Sequence, residues 1–136
     1  MINPCQAVQL LPQVKRTAFL ESNMENNISL EELLAIIETK KPVFVKIGAD
    51  WCSHCNRLDA FLNKTAPSNK EVMFVKITSD NPNNTQVLNY LQQVSGGAEI
   101  SFIPVIMSFK DGKFYKREKP GFTERRVNEL MTCLPA

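Results

Sequence analysis

The chain has 136 residues, 43% hydrophobic and 22% charged, which is the usage of one ordinary globular domain able to bury roughly two thirds of its unfolded surface. Wholesale disorder, collagen-like repetition and a coiled-coil rod are excluded. Sixteen Lys and Arg against fourteen Asp and Glu leave a net charge of +2 with the signs interspersed, so nothing in the balance calls for nucleic acid or an anionic membrane.

In chain order, residues 1–27 are polar and Asn-bearing, broken by Pro4 and Pro12, with one weakly amphipathic stretch from Val14 to Leu20; they are expected to form an N-terminal extension to a domain spanning 28–136. Lys15 and Arg16 follow the weakly apolar run 7–14 instead of preceding it, so no secretory leader is read. The expected compartment is therefore the cytoplasm, with the periplasm as the alternative if a leader has been trimmed away. Ser29 and Glu32 form a capping box, and Leu30, Leu33, Leu34 and Ile37 repeat at helical spacing up to Pro42. Residues 43–48 are a β-branched and aromatic run, the pattern of a strand buried on both faces.

A helix is expected to start at the cysteines that follow, with Leu58, Phe61 and Leu62 on its inner face and a stop before Pro67. A second buried strand is read over 71–77, a turn over 81–84, and a helix through Val87, Leu88, Tyr90, Leu91 and Val94, closed by Gly96 and Gly97. Residues 104–109 and 113–116 read as a hairpin about Asp111-Gly112. Thr123 can cap a last helix with Val127, Leu130 and Met131 inward. The expected fold is α/β, a mixed central sheet of four to five strands flanked by helices. The longest apolar stretches, 42–47 and 100–109, are far short of the ~20 residues that span a bilayer, so no membrane insertion is expected.

Four cysteines are present, Cys5 and Cys133 near the termini and Cys52 and Cys55 as Cys-Ser-His-Cys, and His54 is the single histidine of the chain. Two cysteines three positions apart at the mouth of a helix lie within disulfide reach across one turn. The partial positive charge and unpaired N–H groups of the helix start favour a thiolate on Cys52. Cys55, a turn further in, is placed to resolve a mixed disulfide by attacking Cys52. A zinc site would have to draw on Cys52, His54 and Cys55 plus two distant cysteines, with His54 strained between the pair. An inert bridge is the other alternative. Cys5 and Cys133 either bridge the termini or are buried thiols. The Asn-x-Ser/Thr matches at Asn27, Asn63 and Asn83 are unremarkable in an Asn-rich chain.

The sequence Ala49-Asp50-Trp51-Cys52-Ser53-His54-Cys55 after a buried strand, Ile103-Pro104 after a third helix, Asp111-Gly112-Lys113 and Pro120-Gly121 resemble the thioredoxin family. The resemblance runs from about Ser29 to Leu134. Within that superfamily Lys41-Pro42-Val43 and Ala49-Asp50-Trp51-Cys52 most resemble the C-terminal thioredoxin-like domain of the bacterial thiol:disulfide interchange protein DsbD.

The resemblance implies a thioredoxin fold and a thiol-disulfide oxidoreductase without a bound cofactor or metal. It implies Cys52 as attacking and Cys55 as resolving sulfur, a cis Pro104 facing them, and Ile103 offering backbone groups to an extended peptide. Trp51 would cover the pair and shape the peptide groove, and Phe102 would add an apolar wall or join the core. His54 stands where reducing members often have Pro and oxidising members often have His; it could donate to the Cys52 sulfur or stabilise it as a cation, or simply be solvated.

Six residues before Cys52, where the family commonly has a buried acid that assists proton transfer, this chain has Lys46; Lys76 matches a lysine that usually partners that acid. Three readings of Lys46 stand: the two lysines lower both thiol pKa values, a desolvated Lys46 is the base, or Lys46 extends its stem to place the amine in water. The implied partners are protein disulfides and a redox partner protein, and the implied state is a monomer. The expected activity is that of a reductase or electron relay. The alternatives are an oxidant or isomerase, and a non-catalytic module that responds to redox state.

Overall fold

A computed structural model describes residues 23–100 and 102–118. The expected last helix, Pro120-Gly121, Cys5, Cys133 and the stretch from Val14 to Leu20 lie outside the described residues.

The elements in order are β1 (Met24–Asn26), α1 (Leu30–Glu38), β2 (Val43–Gly48), α2 (Ser53–Thr65), β3 (Met73–Thr78), α3 (Thr85–Val94), β4 (Val105–Lys110) and β5 (Lys113–Glu118). Short 3-10 turns follow α2 and precede α3. The five strands form one mixed sheet in the order β1-β3-β2-β4-β5. β3 pairs in parallel with both β1 and β2, while β4 runs antiparallel to β2 and β5 antiparallel to β4. This is the thioredoxin fold.

The period-two alternation of the strands divides the core between two faces. Val43, Val45 and Ile47 of β2, Met73, Val75 and Ile77 of β3, and Val105, Met107 and Phe109 of β4 meet Leu33, Ile36 and Ile37 of α1 and Val87 and Leu91 of α3. On the opposite face Phe44, Phe74 and Ile106 meet Leu58 and Leu62 of α2. Lys46, Gly48 and Lys76 alternate onto this second face, so a wholly buried β2 carries a lysine toward α2.

Local chemistry sets the element ends. Ser29 Oγ accepts the Glu32 N–H at 3.1 Å to start α1. Within α1 the structure turns Ile36 inward and leaves Leu34 37% exposed, the reverse of their expected weight in the core. The end of α3 closes as a Schellman motif: Gly97 N–H donates to Gln92 O, Gly96 N–H donates to Gln93 O, and Gly96 sits at φ +111°. At the β4–β5 turn Asp111 and Gly112 both take positive φ, 55° and 82°, as a two-residue hairpin of the primed type demands.

The stretch expected as an extension ends in regular structure. Met24–Asn26 form the edge strand β1, and Asn23 donates from its side chain to the carbonyls of Ala66, Asn69 and Val72. Backbone pairing holds this strand: Phe74 N–H to Asn23 O at 2.7 Å and Asn27 N–H to Lys76 O at 2.8 Å. With three residues and one partner strand it buries little apolar surface, so no hydrophobic period marks it.

Candidate active site

β2 ends at Gly48, the chain turns through Ala49–Trp51, and α2 begins at Ser53 with Cys52 as its N-cap, in extended backbone at φ −90°, ψ 112°. A helix start leaves N–H groups without intrahelical partners. The Cys52 sulfur takes one of them, accepting the Cys55 N–H at 3.2 Å. Where other N-caps use a hydroxyl or carboxylate oxygen, this helix uses sulfur, and an N–H aimed at that atom is the contact an anion there needs. Both cysteines are free thiols; Cys52 retains 8% of its surface and Cys55 none. The first sulfur is the one a substrate can reach, and the second must be reached from inside.

The Cys55 thiol is pushed up from 9.0 to about 11, first by burial, then by its hydrogen bond and charge interaction with Cys52, with Ala49 backbone and Lys46 opposing. The consequence for stability has a definite sign. Up to pH 9 the thiol is protonated in both folded and unfolded chains; between 9 and 11 the unfolded chain loses this proton while the folded chain keeps it. The reduced protein should therefore lose stability over that window relative to its disulfide form, which has no such proton. Urea unfolding of both forms as a function of pH checks this, and parallel profiles would refute it.

Ile103 packs on the Ala49, Cys52 and Cys55 cluster, and its bond to the buried Pro104 is cis. Trp51 is 72% exposed, with its indole N–H donating to Asp80 Oδ2 at 3.0 Å. Phe102 also stands in solvent, 75% exposed, and is not part of the core. His54 is exposed on the first turn of α2 and makes no hydrogen bond to Cys52. Among the described residues no three His, Cys, Asp or Glu side chains gather as a metal site.

Lys46 is buried, at 6% side-chain exposure, which removes the reading in which its amine reaches water. Its Nζ lies 2.6 Å from Asp59 Oδ1. Lys76 is its register neighbour on β3; its Nζ is 3.9 Å from the same oxygen and donates to Asn63 Oδ1 at 2.6 Å. Burial and the Lys46 charge lower the Lys76 pKa, burial contributing most, while Asp59 opposes them. Two ammonium groups side by side on a covered sheet face repel one another, and the carboxylate from α2 offsets this.

Gly48 is what lets Lys46 approach the cysteines. A Cβ on Gly48 would sit 2.9 Å from Lys46 Nζ and 3.0 Å from Cys55 Sγ, so ammonium and sulfur are less than about 6 Å apart across the bare Cα.

Asp59 was not among the site residues expected from sequence. Its signal lay in two periodicities: Lys46 and Lys76 share a sheet face by strand alternation, and Cys55, Asp59 and Asn63 share a helix face at steps of four.

Comparison with known proteins agrees with this architecture. The family described as Thioredoxin matches residues 25–133. A thioredoxin of Mycoplasmoides gallisepticum is 28% identical over 109 residues, covering 80% of this chain and 97% of the relative. Among solved structures, spinach chloroplast thioredoxin F superposes with a TM-score of 0.71 at 16% identity, covering 89% of this chain and 94% of that one. Mitochondrial thioredoxin 3 from Saccharomyces cerevisiae gives 0.68 at 17% identity, covering 86% and 99%. With the family match spanning most of the sequence and the dithiol seated at the start of α2, the chain belongs to the thioredoxin family of thiol-disulfide oxidoreductases.

Proposed function

We propose that this protein is a protein-disulfide reductase or electron relay, acting as a monomer on protein disulfides and recharged by a redox partner protein. The observation that carries the reading is the pairing of an N-cap sulfur, supplied with a backbone N–H and slightly exposed, with a second sulfur wholly buried one turn on. Cys52 attacks the substrate disulfide, forming a mixed disulfide and expelling one substrate thiolate. Cys55 then attacks Cys52 Sγ, closing the Cys52–Cys55 bond and releasing the second substrate thiolate. Two electrons pass from the dithiol to the substrate.

Trp51, held by Asp80, and Ile103 with Pro104 flank the attacking sulfur and position an extended substrate segment. Lys46 and Lys76 supply positive potential beneath the pair. The resemblance to the DsbD domain supports the reducing direction, as does the exposed position of His54 without a bond to Cys52.

Turnover with dithiothreitol as donor tests the direction. Insulin disulfides should be reduced catalytically, while a protein with scrambled disulfides should gain little from the enzyme. Efficient reshuffling with weak reduction would favour the isomerase reading. Capture of partners without turnover would favour a binding module.

A further inference from the structure

The resolving step asks a wholly buried thiol to give up its proton and become an anion. A thiolate left unpaired at such a position is costly. Three features bear on how this chain meets that cost. Lys46 Nζ and Cys55 Sγ face each other across Gly48. The counter-ion of Lys46 is Asp59, whose side chain is 27% exposed while that of Lys46 is 6% exposed. Asp59 Oδ1 is buried and, apart from its ionic contacts with the two lysines, receives no aligned hydrogen bond, so it has acceptor capacity to spare. Cys55 and Asp59 are separated by one helical turn, which puts their Cβ atoms about 5–6 Å apart on one face of α2.

We propose that Lys46 and Asp59 form a partner-exchange relay for the resolving step. The Cys55 proton passes to the Asp59 carboxylate, directly or through one water, and the Lys46 ammonium changes its counter-ion from Asp59 to the new Cys55 thiolate. That thiolate attacks Cys52 Sγ, the Cys52–substrate sulfur bond breaks, and its electron pair leaves on the substrate sulfur. Net charge beneath the site is the same before and after proton transfer, so no uncompensated buried ion is made. The partly exposed carboxyl group then returns its proton to solvent. The groups facing Asp59 and Cys55 are Lys46 from β2, Lys76 from β3, held by Asn63, and Cys52 from the N-cap. Lys76 stays with Asn63 throughout and keeps the exchange between Lys46 and its two anions. Asp59 is thus a proton-accepting group and Lys46 a positioning residue, a division of labour that depends on the assignment of Cys55 as the resolving sulfur.

The test separates the two thiol steps with 5,5′-dithiobis(2-nitrobenzoate), in the full chain carrying Cys5→Ser and Cys133→Ser. The first thionitrobenzoate released reports attack by Cys52, and the second reports resolution by Cys55. Near neutral pH Asp59→Asn should slow the second release about 100-fold while changing the first by no more than about twofold. The slowed rate should climb with pH as hydroxide replaces the lost base, and Asp59→Glu should restore most of it. Lys46→Met should slow the second release as well, with Lys46→Arg recovering it. An unchanged second release in Asp59→Asn, equal slowing of both releases, or a deficit that does not respond to pH would overturn the relay. Failure of the parent protein itself to give a second release would overturn the dithiol assignment and the relay with it.

Discussion

Cys52→Ser should lower insulin-disulfide reduction to the rate measured without enzyme, and Cys55→Ser should convert the protein into a stoichiometric trap that accumulates as a mixed disulfide. The two outcomes differ because the sulfurs differ in access and role. Cys52, 8% exposed, sits at the helix start with the Cys55 N–H directed at it. Its loss removes the atom that forms the first bond, and Cys55, with no exposed surface, cannot take its place. In Cys55→Ser the first attack still proceeds, but no internal sulfur can displace the captured substrate. Single-turnover kinetics with mass analysis of the adduct decides the matter. Wild-type turnover in Cys52→Ser, or an absence of adduct in Cys55→Ser, would require a different pair.

Phe44→Ala should destabilise the fold by about 3–5 kcal/mol, a large part of the ~5–15 kcal/mol that a domain of this size commands. Phe44 is fully buried on β2, its ring 5.7 Å from that of Phe74, and together with Ile106 these side chains form the floor on which Leu58 and Leu62 of α2 rest. Truncation leaves a void beneath the helix that carries both cysteines and Asp59. The urea midpoint should fall accordingly. A cost under about 1 kcal/mol would mean that α2 settles into the gap, contrary to the tight floor described.

Much of this arrangement was legible in the sequence because the decisive residues are local signals. Ser29, Gly96-Gly97 and Asp111-Gly112 mark element ends through their own backbone chemistry, and each does so in the structure. The β2 run reads as buried even with Lys46 inside it, since Val43, Phe44, Val45 and Ile47 leave too little polar alternation for a half-exposed strand. Ile103-Pro104 carried meaning only through the family resemblance; no spacing rule would have brought it to the cysteines, where Ile103 now packs.

What stayed hidden depends on contacts between distant parts of the chain. Asp59 looks like any solvated helix charge until β2 and β3 set two lysines under it. β1 is a three-residue strand whose support is backbone pairing and the Asn23 amide, neither of which leaves a periodic trace. Trp51 and Phe102 are large apolar side chains that a composition argument sends inward, yet both stand in solvent beside the site.

The most direct test is equilibration of the protein with glutathione buffers of graded potential, followed by acid quenching, alkylation and residue-resolved mass analysis. Cys52 and Cys55 should lose their labels together in a single two-electron transition with a midpoint below about −250 mV. Independent labelling of the two sulfurs across the whole range, or a transition that pairs either of them with Cys5 or Cys133, would contradict the account.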